Sequence, residues 1–289
     1  MTVMSTGETQ ISVVLGSLNR SPFLQAAIAS VRDNGILVPY EIIVVDGGST
    51  DGSLRWLSRQ KDIITIVQHN RGNFRGQPVK RRSWGYFMNL GFKCAQGEFI
   101  VMISDDSLLV PDSIMNGLDY YKRLTAQGRN IGALAFYFRN WPEQWQYFVR
   151  TTIGDKISVN HGMFRRSALE DVGWIEEERY QFYHADSDLS LKLWQRGYEV
   201  VDCPSAYVEH FRHANSIMRK QNMQSQKSDW SAYLDKWAGG FSGPDRDNSG
   251  GWIYSDYQDL NKTANKFPKI SAYKMIIIST LLRLKRRFE

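Results

Sequence analysis

Short apolar runs alternate with helical patterns through the first half of the chain, and this alternation limits the possible folds more than any other feature. Strands are predicted at residues 10–15, 41–45, 62–67 and 98–103, and helices at residues 21–33, after residue 51 and up to residue 97. Such alternation is typical of βα units that build a mostly parallel sheet. Residues 131–164 are β-rich on both sides of Trp141-Pro142, which predicts antiparallel strands added to that sheet. A helix at 185–196 and a strand at 197–203 complete the predicted α/β fold.

Composition narrows the class of protein. With 289 residues, 42% of them hydrophobic, the chain can bury a full core. Cys94 and Cys203 are too few and too far apart in sequence for a disulfide framework or a zinc site, so a reducing cytoplasm is expected. No signal peptide is recognisable, and no run approaches the roughly 18 apolar residues that span a bilayer. The net charge of +6 favours an anionic partner, without choosing among a nucleotide, an acidic membrane and nucleic acid.

Two adjacent carboxylates follow one of the buried strands. Residues 98–111 read E-F-I-V-M-I-S-D-D-S-L-L-V-P, so Asp105 and Asp106 come directly after the apolar run. Open α/β sheets bind their ligands at the carboxyl ends of the strands, and a hard divalent cation relieves the repulsion between neighbouring carboxylates. The segment therefore predicts a metal and phosphate site. A solvated loop after a strand is the alternative.

A glycine-rich turn follows another buried strand. Residues 46–53 read D-G-G-S-T-D-G-S, and a helix is predicted to begin after them. Gly47 and Gly48 let the backbone approach a ligand, the helix N-terminus favours an anion, and Asp46 can accept hydrogen bonds from a base or ribose. Neither G-x-G-x-x-G nor G-x-x-x-x-G-K-[ST] occurs in the chain, which disfavours a nicotinamide enzyme or a P-loop nucleoside triphosphatase.

The order of four motifs resembles family 2 glycosyltransferases with the GT-A fold. The motifs are I-S-V-V-x-x-x-x-N-R at 11–20, V-V-D-G-G-S-T-D-G-S at 44–53, G-E-F-I-V-M-I-S-D-D at 97–106 and H-A-D-S-D-L at 184–189. The resemblance implies a metal-dependent, inverting transfer of a sugar from a nucleoside-diphosphate sugar to the hydroxyl of a saccharide or lipid-linked acceptor, in polysaccharide or glycolipid assembly. It also implies a catalytic domain over residues 1–215, with a nucleotide-binding half at about 10–110 and an acceptor half at about 111–215. Residues 216–289 form a C-terminal extension.

The family's metal-binding D-x-D element corresponds here to Ser104-Asp105-Asp106, so a serine replaces the first acid. By resemblance Asp106 is the direct metal ligand, while Ser104 and Asp105 contact the donor. His210 matches a histidine that many relatives use as a further metal ligand, and His213 could substitute for it. An imidazole beside a carboxylate suits Mn²⁺ better than Mg²⁺, although either ion is expected. A structural role is the alternative for His210.

The resemblance places a general base at Asp186, within A-D-S-D at residues 185–188. Ala185 replaces the Glu that commonly precedes this acid in relatives. Inverting transfer needs one carboxylate that takes a proton as the acceptor hydroxyl attacks. The alternative makes Asp186 and Asp188 acids at a helix N-terminus, where they favour the helix dipole.

Further positions are assigned to the two substrates. Donor contacts are expected from the end of the first motif and from the basic stretch at 70–84, namely from Ser17, Asn19, Arg20, Arg81 and Arg82. Arginines there could offset the charge of a diphosphate, although a charge run is commonly only a solvated face. An acceptor groove is expected to include Trp141, His161 and His184, with core packing as the alternative for Trp141.

The C-terminal tail at 272–287 mixes apolar residues with Arg283, Lys285, Arg286 and Arg287. This mixture suits an interfacial helix on anionic lipid, and packing onto the catalytic domain explains the apolar residues equally well. The sequence predicts a cytoplasmic enzyme that has no nucleic-acid partner. Peripheral binding to the inner face of the plasma membrane is compatible with this prediction. A nucleotidyltransferase and a non-catalytic sugar-nucleotide-binding protein are the rival functions.

Overall fold

A computed structural model describes residues 9–70, 72–211, 214, 216–241 and 250–269. The strands are β1 (Ile11–Ser17), β2 (Tyr40–Asp46), β3 (Ile63–Val67), β4 (Asn73–Phe74), β5 (Gln77–Pro78), β6 (Phe99–Ser104), β7 (Ser107–Leu109), β8 (Ile131–Asn140), β9 (Tyr147–Thr151), β10 (Ile157–Ser158), β11 (Gly162–Arg165), β12 (Glu199–His210) and β13 (Trp252–Ser255). The helices are α1 (Ser21–Arg32), α2 (Ser53–Leu57), α3 (Trp84–Cys94), α4 (Ser113–Ala126), α5 (Arg166–Asp171), α6 (Ala185–Gln195), α7 (Ser216–Asn222) and α8 (Gln226–Trp237).

One mixed sheet organises the described part of the chain. Its main path runs β10-β9-β8-β11-β6-β1-β2-β3, and β1, β2, β3 and β6 are parallel, as the βα alternation predicts. The strands from the β-rich region join antiparallel: β11 lies between β6 and β8, and β9 pairs with both β8 and β10. β12 runs parallel to β8 and antiparallel to β7, while β13 pairs antiparallel with β9. The predicted α/β fold with a mixed sheet is confirmed.

The central strands are apolar throughout because helices cover both faces of the sheet. Ile11, Val13 and Leu15 of β1 pack into a buried cluster with α1 and α4, whereas Val14 packs on the opposite face with α3 and α6. Gly91 lets α3 approach this second face, since a Cβ at that position would lie 2.5 Å from Val14 Cγ1. Burial on both faces therefore explains a continuous apolar run where a one-sided sheet would show alternation.

One local prediction is wrong in its extent, and one strand was missed. The strand predicted at 197–203 continues as β12 to His210, because the chain passes Pro204 with a register shift between Cys203 and Tyr207 and then resumes pairing. β7 was not predicted, since it is only three residues long and begins directly after the acidic pair. The helix after the glycine turn is short, and Asp51 holds its start by accepting hydrogen bonds from the Ser53 N–H and hydroxyl.

The described part of the C-terminal extension packs onto the main sheet. Tyr233 and Trp237 of α8 are buried in the same cluster as α3 and α6, and β13 extends the sheet at β9. The basic tail from residue 272 onward, with its predicted interfacial helix, lies outside the described residues, as does His213. Within the described ranges, every helix is too short or too polar to cross a bilayer.

Candidate active site

A cavity of about 600 Å³ opens where β1 and β6 end, at the edge of the sheet predicted to bind ligands. Most of the predicted site residues line it: Ser17, Arg20, Gly47, Arg81, Arg82, Ser104, Asp105, Asp106, His161, His184, Asp186 and His210. Four predicted residues are not among the lining: Asn19, Asp46, Gly48 and Trp141. Residues far apart in sequence therefore meet in one cavity, as the order of the motifs predicts.

The acidic pair is buried and shares one arginine. Asp105 and Asp106 follow β6, and Arg20 Nη1 donates to Asp105 Oδ1 at 2.7 Å and to Asp106 Oδ2 at 2.8 Å. Burial, partly offset by Arg20 and reinforced by Asp106, raises the pKa of Asp105 to about 6. Burial disfavours ionisation of Asp106 as well, but Arg20 and His210 hold its pKa well below the usual range. Arg20 thus pairs with both buried carboxylates, and Asp106 is the stronger acid of the two.

His210 lies beside the free oxygen of Asp106. His210 Nε2 is 3.5 Å from Asp106 Oδ1, while His210 Nδ1 donates to Asn140 Oδ1 at 2.7 Å. The bond to Asn140 fixes the ring so that Nε2 faces the carboxylate, which is how a ligating histidine is usually oriented. His161 lies nearby in a tilted orientation, with 5.4 Å between the two imidazole centroids. Burial, with a smaller effect of His210, lowers the pKa of His161 to about 3, so this imidazole is neutral.

These groups suit a divalent cation that is held jointly with a substrate. Asp106 Oδ1 is buried and accepts no hydrogen bond, and a carboxylate beside an imidazole is a donor set that Mn²⁺ accepts. Within the described ranges, no cluster of three or more His, Cys, Asp and Glu side chains could hold a metal. Asp106 and His210 could therefore supply part of a coordination shell, and oxygens of a diphosphate and water would have to complete it.

The glycine turn is organised by its own side chains. Asp46 is 0% exposed: Oδ1 accepts from the N–H groups of Gly48 and Ser49, and Oδ2 accepts from the Ser49 hydroxyl. Gly48 has φ +82°, a left-handed conformation that glycine adopts without strain. Asn19 ties the first motif to this turn, because its Oδ1 accepts from the Thr50 N–H at 2.8 Å. Both oxygens of Asp46 thus act on the turn, and a contact of Asp46 with a base or ribose stays a prediction.

The basic stretch forms another side of the cavity. Arg81 is partly buried there, and the exposed Arg82 lies over the ring of Tyr86 with 4.8 Å from its guanidinium carbon to the ring centroid. Asn70 Oδ1 accepts from the Arg82 N–H at 2.7 Å, and Gln181 Nε2 donates to the Arg82 carbonyl at 3.0 Å. The backbone of Arg82 is therefore held at its N–H and at its carbonyl, and both arginines line the cavity.

Asp186 and Asp188 occupy the first turn of α6 but point in different directions. Asp186 lines the cavity, where Asn160 Nδ2 donates to its Oδ2 at 2.5 Å. Asp188 is 0% exposed, and its Oδ1 accepts hydrogen bonds from Tyr180, Lys236 and Trp237. Ala185, which directly precedes Asp186, is fully buried. Asp186 is thus the acid of this segment that can reach a substrate.

The segment before Asp186 is held by a residue that sequence reasoning missed. Asp229 of α8 is buried, and its carboxylate accepts from the consecutive N–H groups of Gln181, Phe182 and Tyr183 at 2.9–3.0 Å. His184 follows with φ +66°, and its ring contacts those of Trp230 and Tyr233. Because α8 lies more than forty residues downstream, no local pattern could have revealed this arrangement.

Trp141 lies apart from the cavity. Its ring stacks on Phe267 at 5.8 Å between centroids and packs against Phe211 at 6.1 Å. Phe23 belongs to the same small apolar cluster. The structure therefore places Trp141 in core packing, the alternative considered above, instead of in an acceptor groove.

Two asparagines that the sequence motifs did not single out also line the cavity. Asn140 orients His210, and Asn160 contacts Asp186.

Similarity to known proteins agrees with this geometry. The family model described as Glycosyl transferase family 2 matches residues 12–173. The O-antigen chain rhamnosyltransferase RfbN of Salmonella typhimurium is 23% identical over 222 residues, which cover 70% of this chain and 66% of that protein, just under two thirds. The S. aureus TarS 1-349 structure in complex with UDP-GlcNAc superposes with a TM-score of 0.54 at 15% identity, covering 78% of this chain and 67% of that one. Mannosyltransferase PcManGT from Pyrobaculum calidifontis, in complex with GDP-Man and Mn²⁺, gives a TM-score of 0.51 at 17% identity, covering 83% and 78%.

Proposed function

Because the chain belongs to glycosyl transferase family 2, we propose that it transfers a sugar from a nucleoside-diphosphate sugar to an acceptor hydroxyl, with inversion at the anomeric carbon. One observation carries the proposal: Asp186, the Asp105-Asp106 pair and His210 all line a single cavity. A carboxylate that can take a proton and a cluster that can hold a diphosphate are the two parts that this reaction needs.

Asp186 is proposed as the general base. It removes the proton from the acceptor hydroxyl as the oxygen attacks the anomeric carbon, and the bond from that carbon to the diphosphate oxygen breaks. The hydrogen bond from Asn160 holds Oδ2 in place, so Asp186 is oriented before the acceptor binds. A single displacement forms no covalent sugar intermediate, and one base is therefore sufficient.

The donor diphosphate is proposed to bind between the acidic pair and the basic stretch. Asp106 and His210 would hold a Mn²⁺ or Mg²⁺ ion, which neutralises charge on the leaving diphosphate when it is bound. Arg81 and Arg82 line the same cavity and would pair with phosphate oxygens. The glycine turn, shaped by Asp46, would seat the nucleoside beside Gly47.

The acceptor is proposed to be a growing saccharide or a lipid-linked saccharide. The similarity to an O-antigen chain rhamnosyltransferase supports a saccharide acceptor. We also propose that the enzyme acts at the inner face of the cytoplasmic membrane and contacts it through the basic tail. This part of the proposal rests on the sequence alone.

Thermal melting tests the donor site. The protein is melted with UDP, GDP, dTDP and their sugar conjugates, in the presence of Mn²⁺, Mg²⁺ or EDTA. A metal-dependent rise of Tm with one nucleotide supports the proposal and identifies the donor base, because a ligand that binds only the folded state stabilises it. Asp106→Asn is expected to abolish the metal-dependent part, whereas Asp119→Asn on the exposed face of α4 is the matched control and keeps it.

Product analysis then separates the rival functions. A glycosyltransferase releases a nucleoside diphosphate, whereas a nucleotidyltransferase consumes a nucleoside triphosphate and releases pyrophosphate. A non-catalytic sugar-nucleotide-binding protein would give the thermal shift without turnover when acceptors are supplied. Absence of a shift with every nucleotide would contradict the donor site itself.

A further inference from the structure

Three side chains form a row across the sheet beside the proposed base. Arg150 on β9 lies directly opposite Ser158 on β10 and directly opposite Trp252 on β13. Directly opposed residues in antiparallel strands project from the same face, so these three side chains stand side by side. Adjacent strands are about 4.8 Å apart, which makes the row roughly 10 Å long from Ser158 to Trp252.

The row begins at the base and opens into the cavity. Ser158 Oγ lies 3.0 Å from Ser187 Oγ, and Ser187 follows Asp186 directly. Arg150 and Trp252 both line the cavity that contains Asp186. A molecule whose hydroxyl reaches Asp186 would therefore extend along the row, first past Arg150 and then over Trp252.

Arg150 carries a charge with no protein counter-ion. Its side chain is exposed to the cavity, and among the described residues no carboxylate lies within ion-pair distance of it. In contrast, Arg129 pairs with Glu199 at 2.6 Å and Arg139 with Glu209 at 2.6 Å. The guanidinium of Arg150 instead lies 5.9 Å from the ring centroid of Trp252.

Trp252 offers an exposed ring next to this charge. It is 48% exposed, although it contacts the buried Phe148 with 4.8 Å between ring centroids. Tyr254 also stacks on the indole at 6.5 Å between ring centroids, so neighbouring rings support Trp252 while about half of it stays exposed. An exposed indole beside a guanidinium is a suitable surface for a sugar ring whose substituent is negatively charged.

We propose that Trp252 and Arg150 form the acceptor subsite and that the acceptor is an anionic saccharide. A carboxylate or phosphate group of the acceptor pairs with Arg150, while a sugar ring stacks on Trp252. The inference rests on the proposed glycosyl transfer and specifies its acceptor. Arg219 of α7 also lines the cavity.

Defined monosaccharide probes test the charge preference. Methyl glucuronide, methyl glucose 6-phosphate and neutral methyl glucoside are titrated against the protein saturated with the nucleotide found by melting. Both anionic probes, or one of them, are expected to bind about tenfold more tightly than the neutral glucoside, since a charge-assisted hydrogen bond has roughly this effect. The stronger of the two identifies a carboxylate or a phosphate as the natural group.

Matched variants locate the effect. Arg150→Gln is expected to remove the preference while leaving the affinity for methyl glucoside unchanged, and Arg150→Lys is expected to retain part of it. Arg55→Gln, on the exposed surface of α2, is the control and keeps the full preference. Trp252→Ala is expected to weaken all three probes severalfold, whereas Trp145→Ala, a 73% exposed tryptophan that is absent from the cavity lining, leaves them unchanged.

Several results would overturn the proposal. They are equal affinity for charged and neutral probes, a preference that survives Arg150→Gln, and failure of the anionic probes to bind up to their solubility limits. The nucleotide-dependent melting shift is measured on every variant. If the shift is present and the preference is missing, the acceptor subsite fails alone, whereas loss of the shift in the wild-type protein means that the proposed function fails.

Discussion

Asp186 and Asp188 lie two residues apart in α6, and the structure predicts opposite consequences for their replacement. Asp188 is enclosed, with Tyr180, Trp237 and Lys236 all donating to its Oδ1. Asp186 faces the cavity and accepts from Asn160. Replacement of Asp188 should therefore lower stability, while replacement of Asp186 should lower the rate of transfer and leave stability almost unchanged.

The expected magnitudes follow from the partners of each carboxylate. Asp188→Ala leaves the buried Tyr180 hydroxyl and Trp237 N–H without an acceptor, and each such donor costs about 1–3 kcal/mol, so the free energy of unfolding should fall by about 2–6 kcal/mol. Asp188→Asn keeps an oxygen for both neutral donors and loses only the charge that faces Lys236, so its cost should be smaller than that of Asp188→Ala. Asp186→Asn should change stability by less than about 0.5 kcal/mol. It should lower the rate by about 100- to 10,000-fold, the range for a general base.

Urea unfolding, followed by tryptophan fluorescence, gives the stabilities, and release of nucleoside diphosphate gives the rates. The ordering Ala below Asn below wild type is expected for the stability of the Asp188 series. The reasoning is refuted if fully folded Asp188→Asn loses as much activity as Asp186→Asn. Near-normal turnover by Asp186→Asn would refute the assignment of the base.

Three further perturbations test other parts of the site. Asp229→Ala leaves the N–H groups of residues 181–183 without their acceptor. Hydrogen exchange of these groups should therefore accelerate, and the rate of sugar transfer should fall at least tenfold. Unchanged exchange would contradict the role of Asp229. Burial lowers the pKa of His161 from 6.5 to about 3 in the folded state, so between these pH values the unfolded chain binds more protons than the folded one. The free energy of unfolding therefore falls as the pH decreases through this window, by about 2 kcal/mol at pH 5. Urea titrations should show a flatter pH dependence for His161→Gln, and an unchanged slope would exclude His161 as the cause. Arg20→Met leaves two buried carboxylates unpaired and should lower the free energy of unfolding by about 3–5 kcal/mol. Mn²⁺ should then raise the Tm of this variant more than that of the wild-type protein. An equal rise in both proteins would contradict a cation site at the acidic pair.

The parallel half of the fold was predictable because its signals are local. β1, β2 and β6 are continuous apolar runs, and acids or glycines follow them directly in sequence. Since the carboxyl ends of parallel strands share one edge of the sheet, the meeting of Arg20 with Asp105 follows from the strand order. The residue positions at that edge could therefore be inferred without any knowledge of long-range contacts.

Other features depend on contacts that no local pattern encodes. β12 was predicted to end at Cys203 because Pro204 interrupts the apolar pattern, yet pairing with β8 and β7 carries the strand to His210. Asp229 can hold the backbone of residues 181–183 only because α8 folds back over a segment that precedes it by more than forty positions. The sequence left Trp141 between an acceptor groove and core packing, and its contact with Phe267 in an aromatic cluster decides for packing.

The most direct test of the central claim is the release of nucleoside diphosphate from a panel of sugar nucleotides, with and without Mn²⁺ and an anionic saccharide acceptor. Wild-type protein is expected to release the diphosphate from one donor faster than the uncatalysed control, with acceptor-dependent stimulation. Asp186→Asn should abolish this release while retaining the nucleotide-dependent melting shift. Release at the uncatalysed rate from every donor, or equal release by the Asp186→Asn protein, would contradict the account.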